Sequence, residues 1–211
     1  MPSDETRVRI LDSATRHFAA DGFAGASMRR IVEEAEVNLS AVNYHFGSKS
    51  GLYRAVMERL VAPLVDERLA KLRELQMSGG FTTTDLIAAL LDPALALARA
   101  PGHGPAWVLL NWRSRLEHPD RWDSTELHEP MIRAFMAAFR GLLPELSERE
   151  VEYRFFFMMG AIANALIDPR SFTFLEGGLP SLRDDDSVRG RLLRFLDAGV
   201  AAPVVSAPTA G

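Results

Sequence analysis

The 211 residues include no cysteine. That excludes a disulfide framework, a thiolate nucleophile and a cysteine-ligated zinc site. It agrees with a reducing cytoplasm. Strand-like alternation persists nowhere and no internal repeat is visible. An excess of basic charge is also missing: 24 Lys+Arg against 28 Asp+Glu give a formal net charge of -4. A wholly basic coat is therefore absent, while a local face for phosphates is still allowed. The most apolar run, Phe155 to Ile167, is too short for a bilayer span and suits a buried helix, so no membrane insertion is expected. The start, Met1-Pro2-Ser3-Asp4-Glu5, is polar and acidic and does not read as a signal peptide. Catalytic signatures are lacking too. His17, His45, His103, His118 and His128 form no His-Glu-x-x-His motif or close carboxylate cluster, and there is no Gly-x-Ser-x-Gly elbow. The expectation is no enzyme, no metal and no cofactor.

What is present is helical periodicity over almost the whole chain, with a hydrophobic fraction of 47% to build a core. Val8, Leu11, Ala14 and Phe18 fall at spacings of three and four, which predicts a first helix from about Glu5 to Ala20, ended by Asp21-Gly22. Ser27 stands where an N-cap belongs, before a second helix at about Met28 to Ala35. Glu36-Val37-Asn38 is a turn, and a third helix runs from about Leu39 to His45 or Phe46. A long fourth helix, about Ser50 to Leu75, contains Pro63 and should kink there. Further helices are expected at Thr84 to Arg99, Ala106 to Glu117, Ser124 to Leu143 (where Pro130 is a potential break), Ser147 to Ile167, and Asp185 to Ala201. The fold class is all-α, with about nine helices: a three-helix unit at 5–50, a helical bundle at 51–201, and a Pro/Ala-rich tail at 202–211 expected to be disordered.

Two short helices around a tight turn are the physical core of a helix-turn-helix, whose second helix enters the major groove. In the Leu39–His45 segment, Val42 and Phe46 are four apart and can anchor the helix to its neighbours. The other face presents Ser40, Asn43 and Tyr44, with His45 near the end. Asn43 has the amide that pairs bidentately with adenine, and Leu39 or Ala41 can meet a thymine methyl. Ser27 and the free N–H groups of its helix suit a phosphate, with Arg29 beside them and Lys49 just past the third helix. Charge adds less: residues 1–60 hold eight bases and eight acids, so binding must come from arrangement.

The runs Ser27-Met-Arg-Arg-Ile31, Ala35-Glu-Val-Asn-Leu-Ser-Ala-Val-Asn-Tyr-His-Phe-Gly-Ser-Lys49 and Ser50-Gly51-Leu52 resemble the TetR family of bacterial transcriptional repressors. The match spans about residues 7–56. The resemblance implies that Ser27 caps the second helix and meets a phosphate, and that Arg29 approaches bases. It also implies that Leu39, Ser40, Asn43, Tyr44 and His45 lie on the recognition helix, and that Lys49 opens the helix coupling head to body. Two residues depart from the pattern. Glu36 replaces the usual turn glycine, at a cost of roughly 1 kcal/mol if that position needs positive φ. Asn43 replaces the commoner tyrosine. The Asn-Tyr-His-Phe-Gly-Ser-Lys form resembles a subgroup with members that sense fatty acids or acyl-thioesters.

The resemblance further implies a homodimer on a palindromic double-stranded DNA operator, released by a small apolar or amphipathic effector, in the cytoplasm. The all-round apolar helix and the last helix supply a dimer face of Phe156, Met159, Ala163, Leu192, Phe195 and Leu196. Trp107, Asn111, Met131 and Phe135 are the candidates for an effector pocket; core packing is the competing reading of the aromatic and methionine positions. The rival function is a helical interaction adaptor that has lost DNA binding, for which Glu36 and the neutral head leave room.

Overall fold

The structure is a computed structural model that describes residues 2–101, 104, 106–110, 124–167 and 179–203. Asn111, the halt at Asp168-Pro169-Arg170 and the tail beyond 203 lie outside the described residues. Every regular element described is a helix. α1 spans Pro2–Gly25 and is interrupted at Gly22, whose φ of 72° and ψ of 177° only glycine adopts without strain. The expected stop is thus at the right residue, and a last short turn follows it. Ile10, Leu11, Ala14 and Phe18 are buried, but Val8 is 46% exposed. Val8 lies about 120° round the helix from Ala14, at the edge of the apolar stripe rather than within it.

α2 spans Met28–Glu34 and α3 spans Leu39–Phe46. α4 runs Lys49–Ser78 as one helix through Pro63, four residues longer than the stretch from Ser50 to Leu75 that the periodicity implies. α5 spans Thr83–Arg99. It starts with a reciprocal cap, in which Thr82 N–H and Oγ donate to Asp85 Oδ2 at 2.8 and 2.7 Å and Asp85 N–H donates back to Thr82 Oγ at 3.2 Å. Those hydrogen bonds hold the Asp85 carboxyl below its ordinary range. Residues 106–110 are helical. α6 spans Ser124–Leu142 and passes through Pro130 undivided. α7 spans Glu148–Ala165, capped by Ser147, and α8 spans Asp186–Val200, capped by Asp185.

The chain divides into two compact units: residues 1–67 with 96–129, and residues 68–95 with 130–211. In the first, α1, α2 and α3 pack on one another. Phe18, Phe23 and Tyr53 form an aromatic cluster, with Tyr53 edge-on to both phenyl rings at 5.0 and 5.2 Å. In the second, α7 packs on α8. Arg154 of α7 is buried and donates Nη1 to the carbonyls of Val200 (2.7 Å) and Ala202, capping the end of α8, while its Nε donates to Glu150 at 2.8 Å. No helix of the described residues is long and apolar enough to cross a membrane.

Candidate nucleic-acid interface

The turn between α2 and α3 sets the site. Ser27 sits in extended backbone and its Oγ accepts the Arg30 N–H at 3.5 Å. Asn38 caps α3, its Oδ1 accepting from Ala41 N–H at 2.9 Å. Between them the chain reverses through Glu36, at φ 53° the one non-glycine residue with positive φ among those described. The turn does require the left-handed backbone, and an L side chain bears it. Glu36 itself stays exposed, with Arg9 3.7 Å away.

α3 divides as its spacing predicts. Val42 is fully buried and Phe46 half-buried, with the Arg7 guanidinium over the Phe46 ring at 5.4 Å. Ser40 and Asn43 are exposed, Leu39 is 50% exposed and Tyr44 83% exposed. His45 is half-buried between the Tyr44 and Phe46 rings, at 5.0 and 6.0 Å. Gly47, at φ 73°, ends α3 with its N–H on the Asn43 carbonyl. Ser48 Oγ then accepts from Gly51 N–H at 3.0 Å, which makes Ser48 the cap of α4. A Cβ at Gly51 would fall 2.0 Å from the Phe46 carbonyl oxygen, so only glycine lets α4 leave α3 so closely. Lys49 Nζ donates to the carbonyls of Ala24 (3.3 Å) and Ala26 (2.5 Å) and lies over the Phe23 ring at 5.2 Å. The first residue of α4 is thereby tied to the link between α1 and α2.

The neutral charge count conceals an arrangement. The Glu34 carboxylate takes Arg16 Nε and His17 Nε2 at 2.8 Å each and Ser13 Oγ at 3.1 Å; Ser13 Oγ is also 3.0 Å from the Ile31 carbonyl. Burial pushes the Glu34 carboxyl up, but the hydrogen bonds from Arg16 and Ser13 and the charges of Arg16 and His17 outweigh it and hold it below the ordinary value. Asp21 pairs with Arg30 at 3.5 Å and Asp12 with Arg59 at 2.7 Å. Four of the head's acids therefore face its own bases. Arg29 is exposed and makes no ion pair among the described residues.

The sites expected in the body are placed less closely. Trp107, in the first unit, is buried, and its indole N–H meets no hydrogen-bond acceptor among the described residues. Met131 and Phe135, in the second, are fully buried. A cleft in that unit, lined by Phe139, Leu143, Val151, Arg154, Phe155, Met158 and Val200, includes neither. Of the expected dimer face, Phe156 is 71% and Phe195 69% exposed, while Met159, Ala163 and Leu192 are half-buried. Leu196 is buried within the single chain, on the inward stripe of α8 with Leu193 and Val200. Tyr153 and Phe157 were not singled out by the sequence, yet both are exposed and stack at 6.1 Å, with Arg149 over Tyr153 at 5.3 Å. Their i, i+4 spacing after Arg149 is the signal that would have found them. Among the described residues no group of His, Asp and Glu could hold a metal ion.

Comparison with known proteins agrees with this geometry. The HTH-type transcriptional repressor NicS of Pseudomonas putida is 37% identical over 71 residues, which is 34% of this chain and 33% of NicS. The HTH-type transcriptional regulator BetI of Burkholderia lata is 25% identical over 183 residues, 78% of this chain and 87% of BetI. Several curated relatives are spanned over only a quarter to a third of their length. The crystal structure of SCO4942 from Streptomyces coelicolor superposes with a TM-score of 0.64 at 20% identity, covering 94% of this chain and 99% of that one, a likeness of fold. Residues 10–56 match the family described as bacterial regulatory proteins, tetR family, and residues 88–199 match the tetracyclin repressor-like C-terminal domain. The chain belongs to the TetR family of bacterial regulatory proteins.

Proposed function

We propose that the chain is a dimeric transcriptional repressor that binds a palindromic operator and is released by a small-molecule effector. The observation that carries this reading is α3: one buried anchor, Val42, holds a short helix whose other face offers Leu39, Ser40, Asn43 and Tyr44 to solvent. α3 enters the major groove, where Asn43 pairs with an adenine edge and Leu39 meets a thymine methyl. Ser27, Arg29, Tyr44, His45 and Lys49 position the head on phosphates. An ammonium has three donors. Two of those on Lys49 are engaged by Ala24 and Ala26, which aims the third.

A second copy covers the exposed aromatics of α7 and Phe195 of α8. Two-fold symmetry then sets the recognition helices about 34 Å apart, one turn of DNA. The effector shifts the population of two dimer states by binding one of them better. The unpartnered Trp107 N–H favours an effector with an acceptor oxygen, as in a fatty acid or acyl-thioester.

Random-duplex selection with the purified protein tests the reading. The expected result is an enriched palindrome with half-sites one helical turn apart. Enrichment of no sequence would overturn it and favour the adaptor, the reading that the exposed carboxylate of Glu36 supports.

A further inference from the structure

Two arginines from different helices converge on one turn of α5. Arg68 of α4 is buried; its Nε donates to the Leu90 carbonyl at 2.8 Å, and its Nη1 lies 3.8 Å from Met131 Sδ of α6. Arg189 of α8 closes a two-point fork on Asp92, with Nε on Oδ1 and Nη2 on Oδ2, both at 2.6 Å. That fork outweighs the cost of partial burial and raises the Arg189 pKa above its ordinary value. The next residue is Pro93. Proline has no N–H, so the helical bond from position 93 to the Ala89 carbonyl is missing and this turn lacks a rung. A helix turn missing a rung bends more easily than its neighbours. Here it is held from outside, by a cation on α4 and a cation on α8. α4 begins at the DNA-binding head, and α8 carries Phe195 on its exposed face.

We propose that the α5 turn from Leu90 to Pro93 is a relay, through which the setting of the dimer helix α8 is passed to α4. This rests on the DNA-binding reading above. Arg68, Asp92 and Arg189 are positioning residues that touch neither DNA nor effector. Arg68 lies about 28 Å along α4 from Lys49 at roughly 1.5 Å per residue. α4 is one helix from Lys49 to Ser78, so a change in its setting at Arg68 is passed along it toward Lys49. An operator needing two recognition helices at one spacing would sense that; a non-specific duplex would not.

The test is a double-mutant cycle in the full chain, with R68M, D92N and the pair, titrated against the selected operator and a scrambled duplex. Each single change should weaken operator binding about tenfold, within the range of site-to-site coupling. Scrambled-duplex affinity, salt slope, helicity and dimer mass should not move. The double variant should lose about tenfold as well, not a hundredfold, and R68K should recover most of the loss. P93A gives an arm independent of Arg68: with the rung restored, the D92N loss should shrink to under about threefold. Singles that multiply, singles without effect, scrambled-duplex affinity falling in step, or a D92N loss unchanged on P93A would each overturn the relay. A wild-type chain that prefers no duplex would overturn the DNA reading and the relay with it; operator binding with silent singles overturns the relay alone.

Discussion

Glu36 concentrates the tension between fold and function at a single residue. Its φ of 53° costs a non-glycine residue roughly 1–2 kcal/mol, and glycine's greater unfolded freedom returns roughly 0.4–1 of that. Glu36→Gly should therefore stabilise the chain by about 1 kcal/mol or less and tighten duplex binding by removing a carboxylate beside α3. Urea unfolding at constant m-value checks the first part, and a destabilised variant would contradict it. On the DNA-binding proposal, variants of Asn43 and Lys49 separate base from phosphate contact. Asn43→Ala should relax preference at one base position by about 1–3 kcal/mol. Lys49→Ala should weaken all duplexes alike and lower the salt slope by about one unit. Like behaviour of both variants across a sequence library would mean that α3 is oriented differently. The exposed face of α3 was legible from spacing alone, since Val42 fixes which neighbours point out. The ties from Lys49 to Ala24 and Ala26 were not, because they depend on where α1 ends in space. Val8 was misplaced for a related reason: a spacing of three fits the edge of a stripe as well as its centre.

At the scale of elements, the junctions carry the head. Gly51→Ala would drive a Cβ into the Phe46 carbonyl and should unfold the head or shift α4, a loss of several kcal/mol seen in thermal melts. Wild-type stability in that variant would show that α4 leaves α3 by another path. The α1–α2 junction is sensitive to acid. The carboxyl of Glu34 is held below its ordinary value in the folded state, so its contribution is present above the unfolded carboxylate pKa and is lost as pH falls through the folded one. As pH falls below the ordinary carboxylate range, melting temperature should drop more steeply in wild type than in Glu34→Gln; parallel curves would dissociate Glu34 from acid stability. Helix order was readable from periodicity, and the start of α2 from its cap, Ser27. The ends were less so. Pro130 reads as a potential break, yet α6 continues through it, because burial along the stripe of Met131, Phe135 and Phe139 outweighs one lost backbone bond. Thr82 was missed as a cap because its partner Asp85 lies inside the predicted helix.

For the whole molecule, the account requires two copies. Phe156→Glu with Phe195→Glu puts charges on the exposed apolar face and should give a monomer by light scattering, with operator affinity lost and helicity kept; a dimer of unchanged mass would move the interface elsewhere. The family was legible in residues 7–56, where turn, caps and anchors leave little freedom. The body was not, because apolar stripes such as Met131 and Phe135 look alike whether they fill a core or line a pocket. The central claim is that α3 reads duplex DNA from a neutral head by arrangement rather than by bulk charge. The most direct measurement is affinity against salt concentration for the selected palindrome and a scrambled duplex of equal length. The account predicts a steep negative slope on both and a specific preference of roughly 10³-fold or more for the palindrome. A flat slope, or equal affinity for the two duplexes, would contradict it.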